Sequence, residues 1–498
     1  MTSTPAPRAH AHDGLILAIA CVAQFMVVLD VSIVNVALPS IQRDLHMTGS
    51  GSLWVVNAYT LTFAGFLLLG GRAADLLGRR AVFLAGLAIF TLASIGAGLA
   101  QSETQLIVAR AIQGFGGAIL SPATLTIIVT TFSGAALPKA IGAWSAVAGA
   151  GGAFGSVLGG ILVGELSWRW VFFINVPIGI LGAIAAVAYL HELRNREAQH
   201  RLDIFGAGLV TVGLFSLVYG IINTQKVVNG HPLGWGATST LEWMLFGGVL
   251  LVGFVFWELK VATNPLVPFR VFKSRSLTIA DLVMFLIGGA FFSMWYFLTF
   301  YLQEVHGYDA LKAGFAFLPM AVAIIIGAQL SSRLVTKVGV RSLVFVGTVL
   351  ATLGFLWLAL LSPTSPYLFH VIPAAITCAL AMGLLFTPLA TAATADIDRR
   401  EAGLASALLN TARQVGGSLG LAVLATVATS VTTAALLHAP SPGESHQAHY
   451  FHAVTRGYDV AFAISALFTA AAFALAWLIP TGAGRHATAG APPVAVAE

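Results

Sequence analysis

The chain has 498 residues, a formal net charge of +5, a pI near 9.3, 58% apolar and only 9% charged residues, and a mean hydropathy of +0.88. Soluble domains carry about 25% charged residues, so this profile excludes a water-soluble globular protein, and the basic residues are scattered over short loops rather than gathered into a nucleic-acid-binding stripe. Two cysteines far apart in apolar segments, Cys21 and Cys378, indicate neither a disulfide framework nor a metal site.

Residues 1–13 are polar and carry no signal-peptide cleavage pattern. Apolar windows of roughly 20 residues then predict fourteen transmembrane helices. They fall near 15–37, 52–70, 81–100, 105–130, 138–163, 171–190, 204–223, 241–259, 277–302, 313–331, 342–362, 367–393, 403–430 and 458–480. With both termini cytoplasmic, the 25 Lys and Arg divide into eighteen on inner loops, five outside (Arg43, Arg169, Lys226, Lys312, Arg456) and two within helices (Arg110, Arg413). One helix more or fewer would invert every later loop and erase that asymmetry.

The charged stretch His191–Asp203 closes a first group of six helices, and Lys260–Ser276 precedes a second group, with a helix pair between them. The expected organisation is a cytoplasmic tail (1–13), a first bundle (14–190), a linker with an inserted helix pair (191–262), a second bundle (263–480) and a cytoplasmic tail (481–498). The excess of Arg over Lys and the abundance of Ala and Gly suit a GC-rich bacterial genome, hence a bacterial cytoplasmic membrane. The outer loop Leu437–Arg456, rich in His, Pro and Ser, reads as mobile and solvated rather than metal-binding.

Asp30 lies in an apolar run, Gly14–Pro39, with no other ionisable group. A carboxylate there must be paired, protonated or hydrated by a vestibule. Further along stand GGRAADLLGRR (Gly70–Arg80), RAIQGFGGA (Arg110–Ala118), the glycine-rich GAGGAFGSVLGG (Gly149–Gly160) and SWRWVFFINVPIG (Ser167–Gly179). Glycines at such density let helix backbones touch. SRLVTKVGVR (Ser332–Arg341) repeats the first loop in degraded form: Ser332, Thr336, Gly339 and Arg341 stand where Gly71, Asp75, Gly78 and Arg80 stand.

The spacing Gly71-x-x-x-Asp75-x-x-Gly78-Arg79-Arg80 resembles the signature loop of the major facilitator superfamily. That loop acts in the family's conformational switch, and Asp75 is expected near the N-terminus of the third helix, where the dipole favours an anion. Ala73 and Leu76 replace the family's usual Leu and Arg. The Arg110 and Gly149–Gly160 segments resemble two further motifs, the second being the antiporter motif carried by Gly151, Gly155, Gly159 and Gly160, with Ser156 at its usual Pro. Together with Leu29–Pro39, Trp54–Tyr59, Ser167–Gly179 and Ala402–Ala422, they make residues 15–480 similar to the fourteen-helix drug:proton antiporter branch.

That resemblance implies an all-α major facilitator fold of two six-helix bundles plus two inserted helices. It also implies proton-driven export of drug-like amphipathic molecules by a monomer with no cofactor. Asn35, Trp54, Asn57, Tyr59 and Gln113 become candidates for the substrate cavity.

Depth alone points to a partner for Asp30. At 1.5 Å per residue, Asp30 lies about 8 Å and Arg110 about 9 Å beneath the outer face of a 30 Å core. Arg110 would hold Asp30 ionised, and a change in their separation would couple proton exchange to transport.

Asp281 is expected to snorkel toward the inner interface, and Arg413 to pair with Asp396 or Asp398. Glu165 and Glu304 read as outer-interface residues. No phosphate loop, HExxH motif or nucleophile–base set occurs, so ATP-driven transport and enzymatic activity are not expected. The alternatives are an uptake symporter of the same superfamily and a non-transporting membrane sensor, though the tails offer little room for an output domain.

Overall fold

The computed structural model describes residues 13–133, 136–190, 202–228, 231–397, 401–440 and 443–480. The expected tails except Asp13, which opens α1, residues 191–201 of the charged stretch 191–203, and Asp398, Arg399 and Arg400 lie outside the described residues. The architecture is all-helical apart from a two-residue hairpin, β1 (Val227–Val228) and β2 (His231–Pro232).

The first six helices are α1 (Asp13–Asp44), α2 (Gly49–Leu77), α3 (Arg79–Gly98), α4 (Glu103–Thr131), α5 (Ala136–Glu165) and α6 (Trp170–Tyr189). The next two are α7 (Ile204–Asn223) and α8 (Thr238–Lys260). The last six are α9 (Arg275–Val305), α10 (Ala310–Val338), α11 (Val340–Leu358), α12 (Tyr367–Thr394), α13 (Ala402–Leu436) and α14 (His446–Ala476). Thirteen of these are long and apolar enough to span a membrane, and the 30-residue α5 brings the set to fourteen.

Side-chain caps fix many of the starts by satisfying orphan amide donors. Thr48 and Ser102 accept from Gly51 N (3.2 Å) and Gln105 N (3.3 Å), and Ser274 and Asp309 from Leu277 N (3.2 Å) and Lys312 N (2.7 Å). Ser445 does the same for α14, accepting from Ala448 N at 3.1 Å. That cap starts α14 at His446, twelve residues before the expected start. The supposedly mobile loop is therefore largely helix, and Glu444 pairs there with His452 Nδ1 at 2.6 Å and His449 Nδ1 at 3.6 Å.

Helix partners repeat with a shift of eight. α1 packs on α5, α2 on α4, α3 on α4 and α6; likewise α9 packs on α13, α10 on α12, α11 on α12 and α14. Across the seam, α5 meets α10 and α2 meets α13. The pair α7–α8 rests against α2 and α13, with α8 the most lipid-exposed helix.

The loops that follow α2 and α10 repeat as well. Gly78 (φ +101°) and Gly339 (φ +86°) make the turns from α2 to α3 and from α10 to α11, in a region open to glycine but strained for L side chains. Arg80 donates to Val187 O at the end of α6 (2.9 Å), and Arg341 lies over Trp477 just after α14 (4.9 Å). Arg72 reaches Asn264 O (2.6 Å). Asp75 falls in the last turn of α2 rather than at the start of α3, because α2 continues to Leu77; its side chain lies outside the described residues. Gly71 meets Pro122 of α4, and Arg79 opens α3.

Candidate functional site: a sealed ionic network in the first six helices

Asp30 and Arg110 are in contact. Arg110 Nη1 lies 2.5 Å from Asp30 Oδ2, with the two side chains 2% and 0% exposed. Asp30 Oδ1 accepts from Gln113 Nε2 (2.7 Å) and Asn175 Nδ2 (3.0 Å), so both carboxylate oxygens are bonded. Arg110 also donates through Nε to Val55 O (3.2 Å) and through Nη1 to Gln113 Oε1 (2.6 Å). Its guanidinium stacks 4.3 Å over the Tyr59 ring. Ser94 Oγ accepts from Gln113 Nε2 (2.8 Å) and Asn175 Nδ2 (3.3 Å), and itself donates to Phe90 O (2.8 Å). Five helices thus converge on one buried charge pair.

Local sequence explains how the members arrive. Arg110 and Gln113, three residues apart on α4, share one helix face. Asn175 sits where the first turn of α6, Trp170–Phe173, gives way to the helix Asn175–Tyr189, two residues before Pro177. Pro177 falls in the first turn of that helix, where its missing N–H is tolerated. A buried pair of this kind is sustained by its additional hydrogen bonds, since mutual attraction alone rarely offsets the desolvation of both ions. Two polar atoms remain without partners beside it, Asn175 Oδ1 and Tyr59 Oη.

The expected cavity residues disperse. Tyr59 and Gln113 are sealed inside the network rather than lining a cavity. Trp54 stacks on Phe215 of α7 at 5.9 Å and tilts against Tyr219 at 6.1 Å, because that face of α2 meets the inserted pair. Asn57 instead accepts from Ser418 Oγ of α13 at 2.5 Å, joining the two halves of the molecule. Asn35 is half-buried and bonds its own helix at Val31 O (3.1 Å).

The glycine motif divides its work between two partners. Added Cβ atoms at Gly151 and Gly159 would come within 3.1 Å of Phe25 O and 2.9 Å of Ile33 O, and Gly155 packs on Ser32, so these three seat α5 on α1 around Asp30. Gly160 faces the other half, where a Cβ would stand 2.7 Å from Ala310 O and 3.1 Å from Gly314 Cα. Gln303 of α9 adds a second bond across the seam, donating to Val36 O at 2.9 Å. The two halves are therefore closed on each other at this end, where α1 and α5 meet α9 and α10.

Asp281 is buried, with Oδ1 lacking a partner, and does not snorkel; α9 packs against α12, α13 and α14. Arg413 lies 5.4 Å over Phe386 and reaches Asn410 Oδ1 at 3.5 Å. Among the described residues it makes no ion pair with Asp396, and Asp398 is outside them. Ser94 and Asn175 were not singled out from the sequence. The signal for Asn175 was present, a lone amide in an apolar run beside a proline; Ser94 carried none, since serine is unremarkable in a membrane helix.

Comparison with known proteins supplies the context for this geometry. The family profile described as Major Facilitator Superfamily matches residues 20–421. The chain is 43% identical over 420 residues to the cephamycin export protein CmcT of Amycolatopsis lactamdurans, covering 84% of this chain and 85% of that one. It is 38% identical over 473 residues to the puromycin resistance protein pur8 of Streptomyces alboniger, covering 94% and 90%. It is 34% identical over 429 residues to the tetracenomycin C resistance and export protein of Streptomyces glaucescens, covering 84% and 77%. Among solved structures, a bacterial homolog of the human lysosomal transporter Spinster superposes with a TM-score of 0.64 at 18% identity, covering 95% of this chain and 98% of that one.

Proposed function

The chain belongs to the major facilitator superfamily, and from that membership we propose that it exports drug-like amphipathic molecules from a bacterial cell, driven by proton influx. It is a multi-pass membrane transporter rather than an enzyme. The relatives that carry the export reading are an antibiotic exporter, an antibiotic resistance protein, and a protein combining both roles. The monomer sits in the cytoplasmic membrane with both termini inside, uses no cofactor and draws on the proton gradient.

The single observation behind the proton step is the doubly bonded, fully buried Asp30 beside Arg110. While Arg110 stays close, its guanidinium occupies Asp30 Oδ2. Alternating access that draws α4 away from α1 parts the pair and frees the carboxylate oxygens for another partner, a proton. A proton then enters from outside and is released inward when the pair re-forms. Each charge crossing 100 mV inward contributes about 2.3 kcal/mol before any pH gradient. The repeat of helix partners at a shift of eight supports rocking of the two bundles around a central site.

The test is export by purified protein in proteoliposomes under an imposed pH gradient, with puromycin as the first probe. Gradient-dependent puromycin movement is expected in the wild type. Asp30→Asn is expected to lose the dependence on the gradient, and undiminished gradient-driven export by that variant would remove Asp30 from the mechanism.

A further inference from the structure

A second polar feature stands apart from the Asp30 network. On the outer side, a cavity of about 180 Å³ opens between the two halves, with Gln42 of α1 and Leu53 of α2 on one wall. The opposite wall carries five aromatic rings from α9 and α14: Tyr296, Phe297, Phe300, Tyr450 and Tyr458. These rings pack on one another, Tyr296 on Phe300 at 4.8 Å and Phe297 on Tyr458 at 5.2 Å. Glu304 is the one carboxylate on the lining, which carries no Lys, Arg or His. It is half-buried and has no hydrogen-bond or ion-pair partner among the described residues.

Two further observations distinguish this cavity from an ordinary seam. Glu304 lies on a π-helical turn, Tyr301–Val305, that ends α9; such turns are rare and concentrate at functional sites. The cation near enough to act on it, Arg43, has its guanidinium bonded to Pro39 O (3.2 Å) and Ser40 Oγ (3.4 Å). Glu304 therefore keeps its acceptor capacity for something else.

A carboxylate among aromatic faces attracts a cation from two directions, by charge and by the ring quadrupoles, and cages of this composition recognise quaternary ammonium groups. Size narrows the occupant. Whole drug-sized ligands fill about 300–1,000 Å³, so this cavity takes a cationic head group and leaves the rest of the molecule outside it.

We propose that this outer cavity is a head-group site for organic cations, quaternary or protonated amines, occupied as they leave the transporter. The proposal rests on the export reading for its direction and on this geometry for its chemistry. Because its walls come from both halves, the site widens when the outer seam opens, which releases what it holds.

Calorimetric titration of the protein in nanodiscs tests the proposal, using choline and its neutral isostere 3,3-dimethylbutan-1-ol. The two differ in charge but barely in shape. Choline is expected to bind about tenfold more tightly than the isostere. Glu304→Gln, which preserves size, is expected to remove that discrimination, and Tyr458→Leu to weaken choline while leaving the isostere nearly unchanged. Equal binding of the two probes, no choline binding, or discrimination that survives Glu304→Gln overturns the site. Puromycin export is measured in parallel. Export without choline discrimination refutes the site and leaves the exporter intact; discrimination without export supports the site and refutes its place on an exit route.

Discussion

Removing one member of the Asp30–Arg110 pair should cost far more stability than removing both. Asp30→Asn keeps one acceptor oxygen, enough for Gln113 Nε2 or Asn175 Nδ2. Its amide group, however, would face Arg110 Nη1, now 2.5 Å from a carboxylate oxygen, and set donor against donor. Arg110 is 2% exposed and cannot recruit bulk water in place. Breaking a buried pair from one side typically costs about 3–5 kcal/mol, whereas replacing both ions by apolar residues of similar volume is often neutral or stabilising. The expected loss is therefore about 3–5 kcal/mol for Asp30→Asn and for Arg110→Met alone. The double variant Asp30→Leu/Arg110→Met should recover most of it while losing gradient-driven export. The assay is a double-mutant cycle on denaturant unfolding in micelles, with puromycin export measured on the same preparations. Single losses below about 1 kcal/mol, in the range of an exposed pair, would refute the reasoning, as would a double loss equal to the sum of the singles.

Three other outcomes follow from the geometry. Gly78→Ala and Gly339→Ala should each cost about 1–3 kcal/mol through backbone strain alone, read as lowered unfolding midpoints of similar size in the two halves. Gly160→Leu should block closure of the outer seam against Ala310 and Gly314, leaving an engineered cysteine near Val36 open to a membrane-impermeant maleimide and abolishing export; an unchanged labelling rate would count against the contact. Ser418→Ala should remove one cross-seam bond, about 0.5–1.5 kcal/mol, shifting the closed-to-open ratio about two- to tenfold in the same labelling assay.

Depth and count were legible in the chain; direction around each helix axis was not. Hydropathy and loop charge yielded fourteen helices, and a rise of 1.5 Å per residue put Asp30 and Arg110 level before any contact was known. Trp54 and Asn57 show the limit. Three residues apart on α2, they were grouped as cavity candidates, yet one faces α7 and the other α13. Which neighbour a polar side chain meets depends on rotations fixed by the packing of all the helices together. Asp281 shows the same limit: its distance from the helix end suggests an interfacial residue, yet it is buried where α9 packs against helices of the later chain. The start of α14 was missed because its first turns are polar and a hydropathy window passes over them, although Ser445 is a cap by residue type.

The position of the inserted pair bears on how a hydrophobic molecule reaches the transporter from the bilayer itself. The two seams between the halves, α5 with α10 and α2 with α13, are equivalent by the internal repeat, but α7 closes over the second. Gln225, just beyond α7, bonds Thr426 of α13 at 2.8 Å, and Trp54 of α2 stacks on Phe215 of α7, so α7 bridges that flank. The lipid side therefore meets one seam that no further helix covers and one that α7 covers. On the export reading, entry from the membrane plane is expected to be handed: bulky substitutions along the lipid-facing edge of the α5–α10 seam should slow puromycin export more than their counterparts along α7.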